Sequence, residues 1–159
     1  MTFGLGSVLS VREVDHRGIY MGKRFEKLTD YLATFETPVG KWIKDEKNDG
    51  SEEHPIQLPF VSYSENVHAF MHDFYEFSEF HPEYGLNGYR EILEGKGIAA
   101  NTRSLLEADV SEADDLTVLA LIMCAIRAER FCDGVLLHVF ESGAMERWLI
   151  RLKGIDVNE

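Results

Sequence analysis

The chain of 159 residues is 45% hydrophobic, and its 28 acidic and 16 basic residues give a formal net charge of -12. A chain of this length and composition is typical of one globular domain that needs no metal or disulfide to fold. The negative charge repels phosphate backbones and anionic lipid, which excludes nucleic acid and membrane surfaces as expected partners.

The sequence predicts a cytoplasmic protein. Arg12 and Glu13 interrupt the first apolar stretch before it reaches the length of a signal peptide, and no basic residue precedes that stretch. The longest apolar run, residues 116–126, is shorter than the roughly 20 residues that cross a membrane as a helix. Cys124 and Cys132 are too far apart for a disulfide if the region is helical, and free thiols are typical of a reducing compartment.

The predicted fold is a single, mostly α-helical domain, a bundle of about six helices. Residues 22–155 are expected to form its helical core, and residues 1–21 a peripheral N-terminal segment. Within that segment, residues 11–20 suit a short extended or hairpin piece. No internal repeat, low-complexity stretch or linker divides the chain, so residues 1–159 are predicted to be one domain.

Apolar spacing along the first half predicts one helix and then an exposed loop. Apolar residues three or four positions apart predict a helix over 23–36. Trp42 and Ile43 are expected to pack back onto the core. The stretch 45–54 is acidic and has no apolar residue, so it is expected to be a surface loop. Alternating apolar residues over 56–60, between two prolines, predict an extended segment at the edge of the core.

Helix start signals are clear in the second half. Ser62 followed by Glu65 predicts a capping box, with Ser64 as the alternative cap, before a helix that ends near Glu79. Gly and Pro residues separate the helices that follow. The other predicted helices cover residues 89–93, 98–108, 111–126, 134–141 and 144–153.

The most apolar of these helices is predicted to be the centre of the bundle. Ser111 and Asp114 mark its start, and its interior over 116–126 is apolar on nearly every side, as in a buried helix. Downstream, Asp133 is placed to cap the next helix, and Gly154 is placed to end the last one.

Two segments carry a resemblance to a known family. In residues 127–155 a hydrophobic helix ends in an Arg-Phe-x-acidic-Gly turn, followed by a helix, a glycine and a last helix that ends in Arg-Leu-Lys. Together with the aromatic helix over 63–80, this pattern resembles a bacterial family of unknown function, family 6508, across most of residues 23–155. The resemblance implies a helical fold and an intracellular bacterial setting, and it implies no reaction. Its matching positions are Arg130, Phe131, Asp133, Gly134, Gly143, Arg151, Leu152 and Lys153.

The first candidate site lies around the end of the most apolar helix. Arg127, Arg130, Asp133 and Glu141 are concentrated there, and charges at such a place must be paired or lie at the rim of a cleft. Two arginines in a cleft can hold a carboxylate or phosphate through bidentate hydrogen bonds. The structural alternative is a helix-terminus network in which Arg130 pairs with Glu141 or the helix carbonyls and Asp133 acts as a cap.

Two further constellations are weaker. His68 and His72, four positions apart on one helix, are candidate metal ligands, but no third ligand is assigned elsewhere in the chain. We therefore expect solvent-exposed histidines and no metal site. Cys132 and His138 would form a nucleophile pair only if the turn between them folded back, and an inert thiol is expected instead.

The sequence predicts no cofactor, and it leaves a non-enzymatic and an enzymatic hypothesis open. The leading hypothesis is an interaction or regulatory module whose acidic helical surface binds another protein. The alternative is a small-ligand-binding protein or enzyme that uses a cleft around Arg130 and Asp133. A deep pocket reached by the charged side chains favours the second hypothesis, and a closed salt-bridge network favours the first.

Overall fold

Helices account for most of the described structure, which confirms the predicted mostly α-helical fold. The computed structural model describes residues 23–35 and 38–158. The predicted extended or hairpin piece at 11–20 therefore lies outside the described residues. The elements are α1 (Glu26–Thr29), β1 (Gly40–Ile43), β2 (Phe60–Tyr63), α2 (Glu65–Phe80), α3 (Tyr89–Glu94), α4 (Thr102–Glu107), α5 (Asp115–Glu129), α6 (Val135–Glu141) and α7 (Ala144–Asn158).

Helix α5 forms the centre of the bundle, as its sequence predicts. Every residue from 117 to 126 is buried, and α3, α6 and α7 pack against this helix. Removing this apolar surface from water stabilises the fold by about 25 cal/mol for each Å² buried. Despite its apolar character, neither α5 nor any other helix in the described ranges is long and apolar enough to cross a membrane.

The start of α5 is capped by Asp114. Its carboxylate accepts a hydrogen bond from the backbone N–H of Thr117 at 2.9 Å and another from the Thr117 hydroxyl. Ser111, predicted to mark the start together with Asp114, lies in the preceding turn, where its N–H donates to Asp109.

We expect Asp114→Ala to lower the free energy of unfolding by about 1 kcal/mol, because it leaves the Thr117 N–H without its acceptor. Chemical denaturation of the two proteins under identical conditions measures this change. Ser111→Ala is the matched control and should cost less, since the Ser111 side chain lies outside the cap. Equal losses in the two variants would contradict the role of Asp114.

Helix α7 continues beyond Gly154, so the predicted C-cap at this glycine is wrong. The reason is a tertiary contact. The buried carboxylate of Asp156 accepts the backbone N–H of Phe25 at 3.0 Å, and Lys23 donates to the Asp156 carbonyl at 3.0 Å. Docking of the segment that leads into α1 therefore outweighs the cost of a helical glycine, which is about 1 kcal/mol.

Two helices in the first half differ from their prediction. The helix expected over 23–36 is a single α-helical turn, α1, followed by a 3-10 turn over Asp30–Ala33. Helix α2 begins after Ser64, whose hydroxyl accepts the Val67 N–H at 3.3 Å, so the alternative cap is confirmed. Ser62 does not cap the helix because it lies in β2.

Strands β1 and β2 pair antiparallel and, with the long loop between them, form a hairpin on the surface of the bundle. Val61 and Tyr63 of β2 pack against the core, and Trp42 lies opposite Val61 across the sheet. Trp42 packs its ring against Gly134 but remains 44% exposed, and Ile43 is half-buried, so both residues lie on the surface of the bundle and outside its core. The predicted loop at 45–54 is confirmed, because it is irregular and mostly exposed.

Candidate functional site

The turn between α5 and α6 is held by Glu129 rather than by the predicted cap, Asp133. The Glu129 carboxylate accepts the backbone N–H groups of Gly134 at 3.0 Å and of Leu136 at 2.8 Å. Asp133 is exposed and makes no cap hydrogen bond to α6. Gly134 has a φ of +97°, a left-handed conformation that glycine adopts without strain. Because the turn is tight, the Glu129 carboxylate can accept hydrogen bonds from N–H groups that the start of a helix leaves unpaired.

The same turn fastens the hairpin to the bundle. The Tyr63 hydroxyl accepts a backbone N–H at the start of α6 at 3.0 Å and donates to Glu129. Burial, together with that carboxylate, raises the pKa of Tyr63. The Trp42 ring lies so close to Gly134 that a β-carbon there would be 2.4 Å from the ring. We call residues 129–137, where the hairpin meets α5 and α6, the corner.

The four charged residues predicted to form a site do not converge. Arg127 and Arg130 lie against the Tyr75 ring, each with its guanidinium carbon 5.7 Å from the ring centre. Among residues 23–35 and 38–158, no hydrogen bond or ion pair joins either arginine to Asp133 or Glu141, and both carboxylates are exposed. The pairing of Arg130 with Glu141 is therefore not formed.

Arg127 instead lines a concavity of about 290 Å³ between α2, the turn at 82–88 and α5. Its Nη2 donates to Asn87 Oδ1 at 3.3 Å, while its buried Nε has no hydrogen-bond partner within the described protein. The Tyr75 hydroxyl, in the same concavity, is likewise buried and unpaired. We call this concavity, defined by Tyr75, Asn87 and Arg127, the Tyr75 pocket.

Sequence reasoning missed Asn87, and it indicated Tyr75 only as one of four tyrosines that could line a groove, without linking it to Arg127. Tyr75 is one of several aromatic residues on α2, and Asn87 lies in a short irregular turn. Nothing in the sequence pairs either residue with Arg127, because they come from separate elements that only the tertiary fold brings together.

A second concavity, of about 300 Å³, lies on the outer face of the hairpin. Ile43, Leu58 and Phe60 form its apolar side, and Ile43 lies opposite Phe60 in the sheet. Leu58 is 81% exposed and Phe60 is 37% exposed. Charged and polar residues of the loop at 44–48 form the other side. We call this concavity the hairpin groove.

Asp45 shapes one wall of the hairpin groove. Its carboxylate accepts the backbone N–H of Gln57 at 2.9 Å and the side-chain N–H of Asn48 at 2.8 Å. These hydrogen bonds lower the pKa of Asp45 from 3.8 to about 2. Because the folded-state pKa lies below the unfolded one, the carboxylate favours the folded loop above pH 3.8. This contribution is lost as the pH falls toward 2.

We expect an NMR titration of the Asp45 carboxyl carbon to give a midpoint of about 2. The backbone amide of Gln57 should shift with the same midpoint, because it donates to this carboxylate. Asn48→Ala removes one of the hydrogen bonds and should move the midpoint upward. A midpoint of about 4 in the unaltered protein would contradict the described loop, because that is the value of an unpaired aspartate.

The family of unknown function DUF6508 matches residues 20–157 of the chain. The chain belongs to that family. The match covers nearly the whole chain and confirms the resemblance that the sequence shows over 23–155. Comparisons with curated proteins and with solved structures found no match.

In this DUF6508 chain, positions that carry the family resemblance have clear structural roles. Gly134 allows the corner to turn beneath the hairpin, and Arg130 packs against the Tyr75 ring. On α7, Leu152 is buried, and Arg151 Nε donates to the Ala113 carbonyl at 2.9 Å. At these positions the DUF6508 pattern is therefore explained by packing and hydrogen bonding.

The two candidate metal-binding histidines of the DUF6508 chain do not share a site. His68 lies against a tyrosine ring of β2, whereas His72 Nδ1 is 3.6 Å from Asp73 and 3.9 Å from Glu76. Those three side chains could together approach one cation. However, Lys27 Nζ is 3.4 Å from Asp73 and 3.5 Å from Glu76. An ammonium group there neutralises the carboxylates and repels a metal ion, which disfavours cation binding. The absence of a metal site stays a prediction.

Both cysteines are free thiols, as predicted. Cys124 is buried in α5, where desolvation raises the pKa of its thiol. Cys132 is exposed at the corner, and no hydrogen bond joins it to His138 in the described part of the chain. The geometry therefore gives no support to a Cys132–His138 nucleophile pair.

Proposed function

We propose that this protein is a non-enzymatic interaction module whose hairpin groove binds a basic segment of another protein. The observation that carries the proposal is the exposure of Leu58 and Phe60 together in one groove. Contiguous exposed apolar side chains are typical of protein interaction sites. Fully burying an exposed side chain such as Leu58 contributes about 1.5–3 kcal/mol, which offsets part of the cost of association.

The charge next to the groove favours a basic partner. The groove lining is itself balanced, since Lys44 and Lys47 accompany Asp45 and Glu46. The rest of the loop, residues 48–54, adds three acidic residues and no lysine or arginine, and the whole chain has a net charge of -12. Opposite charges speed the encounter of two proteins and discriminate against acidic partners, and both effects weaken as the salt concentration rises. The occupant that fits best is a lysine- or arginine-rich segment with one or two large apolar side chains.

Site-specific photo-crosslinking tests this proposal in cells that make the protein. A benzophenone amino acid at position 58 is expected to capture one discrete protein that has a basic, apolar-containing segment. Capture from lysate should fall as salt is added. The same amino acid at Val157, which is 64% exposed on α7, is the matched control and should not capture that protein. Identical adducts from both positions, an acidic partner, or no adduct from position 58 would contradict the proposal.

We also propose that the protein works in the bacterial cytoplasm. The free thiols of Cys124 and Cys132 suit a reducing compartment, and the sequence pattern resembles that of a bacterial family. Cys132, which is exposed, should therefore react with a thiol reagent in fresh lysate without prior reduction. Recovery of Cys132 in a disulfide with another molecule would contradict this location.

A further inference from the structure

The Tyr75 pocket carries an inference that goes beyond protein binding. We propose that it binds a small monocarboxylate with an apolar tail. The pocket lies between α2, the turn at 82–88 and α5, whereas the hairpin groove is built from β1, β2 and their loop. The two sites share no lining residue, so a ligand can occupy one without the other. The two proposals can therefore be tested separately.

Two side chains that line the pocket carry an unpaired donor. Arg127 Nε and Tyr75 Oη are both buried and have no hydrogen-bond partner within the described protein. Native proteins rarely bury an N–H group without an acceptor, because its desolvation is then uncompensated. A guanidinium can only donate, so the complementary group is an acceptor. A carboxylate is the acceptor whose two oxygens match the guanidinium geometry.

Positive charge without a protein counter-ion also favours an anion. Arg127 and Arg130 flank the Tyr75 ring, and within residues 23–35 and 38–158 neither guanidinium lies within 4.0 Å of a carboxylate. Asn87 accepts a hydrogen bond from Arg127 Nη2 at 3.3 Å, which restricts the orientation of the guanidinium beside the pocket. The guanidinium is therefore partly oriented before a ligand arrives, which lowers the entropic cost of binding.

The remaining lining residues restrict the class of anion. Glu79 is exposed and lines the pocket, so a phosphate dianion or a nucleotide would be repelled more strongly than a single carboxylate. Leu86 and Met123 supply an apolar wall. A volume of about 290 Å³ is at the lower end for ligand pockets and suits a fragment-sized molecule. These features together select a small, singly charged carboxylate with a hydrocarbon part.

NMR titration with sodium benzoate tests the proposal on the full chain. We expect saturable shifts of the Arg127 Nε–H signal and of the Met123 methyl signal. Tyr75→Phe removes only the hydroxyl and should weaken benzoate binding about tenfold, as loss of a hydrogen bond to a charged group does. Arg103→Lys is the matched control, because Arg103 pairs with Glu107 on α4, and it should bind benzoate as the unaltered protein does.

Benzyl alcohol and inorganic phosphate serve as comparison ligands in the same titration. Benzyl alcohol has the same ring without the charge and should bind at least tenfold more weakly than benzoate, and phosphate should bind more weakly as well. Equal affinity for benzyl alcohol would show that the charge is not recognised, and tighter binding of phosphate would overturn the monocarboxylate class. No shift at Arg127 with benzoate, or unchanged benzoate affinity in a folded Tyr75→Phe protein, would overturn the site itself.

Discussion

Gly134→Ala is expected to lower the free energy of unfolding by about 2–4 kcal/mol. The backbone there has a φ of +97°, where a residue other than glycine is strained. In addition, the new β-carbon would come within 2.4 Å of the Trp42 ring. Strain and clash both act at the corner, where the hairpin meets α6. Urea denaturation followed by circular dichroism measures the loss.

Gly97→Ala is the matched control for this prediction. Gly97 also has a positive φ, of +73°, but a β-carbon at this position would meet nothing within 4 Å. It should therefore cost only the conformational strain, about 1–2 kcal/mol. Adding Trp42→Ala to the Gly134→Ala protein should recover part of the loss, since the clash is then removed. Equal losses for the two glycines, with no recovery, would contradict the packing of Trp42 on the corner.

Glu129→Leu is also expected to lower the free energy of unfolding by about 2–4 kcal/mol. The substitution leaves the N–H groups of Gly134 and Leu136 without their acceptor, and it removes the carboxylate to which the Tyr63 hydroxyl donates. For a chain of this size, a loss of 3 kcal/mol lowers the melting temperature by roughly 6–12 °C. Calorimetry measures this shift directly.

Two conservative variants separate the role of Glu129 from a general effect of charge. Glu129→Gln keeps one acceptor oxygen and the same length, so it should cost less than Glu129→Leu. Glu141→Gln should change the free energy of unfolding by less than about 0.5 kcal/mol, because Glu141 is exposed and has no described ion pair with Arg130. A loss at Glu141 as large as that of Glu129→Leu would instead support the pairing predicted from the sequence.

The apolar pattern was enough to predict the centre of the fold. Residues 116–126 are apolar on nearly every side, and a run of eleven residues with this pattern after a helix-cap signal favours a buried helix over a strand, so α5 could be placed from the sequence alone. Helix ends were harder, because they depend on contacts made elsewhere in the chain. α7 passes Gly154 because Asp156 accepts the Phe25 N–H, and no local signal near Gly154 reveals that contact.

The candidate sites were harder to predict for the same reason. The sequence places Arg127, Arg130, Asp133 and Glu141 near one another, but it does not show which way each side chain points. Adjacency in sequence predicts Asp133 as the cap, whereas Glu129, one turn earlier on α5, accepts the two N–H groups. Sequence rules for helix capping consider only the residue directly before the helix.

If the hairpin groove serves binding and not folding, Leu58→Asp should abolish partner binding and leave the stability of the fold unchanged. The side chain is 81% exposed, so the free energy of unfolding should change by less than about 0.5 kcal/mol. Ile150→Asp, at a position that is 53% exposed on α7 and outside the groove lining, is the control and should leave partner capture unchanged in the folded protein. The deciding measurement is partner capture by the folded Leu58→Asp protein with the photo-crosslinker at position 60. We predict that capture is lost, and capture that persists would contradict binding through the hairpin groove.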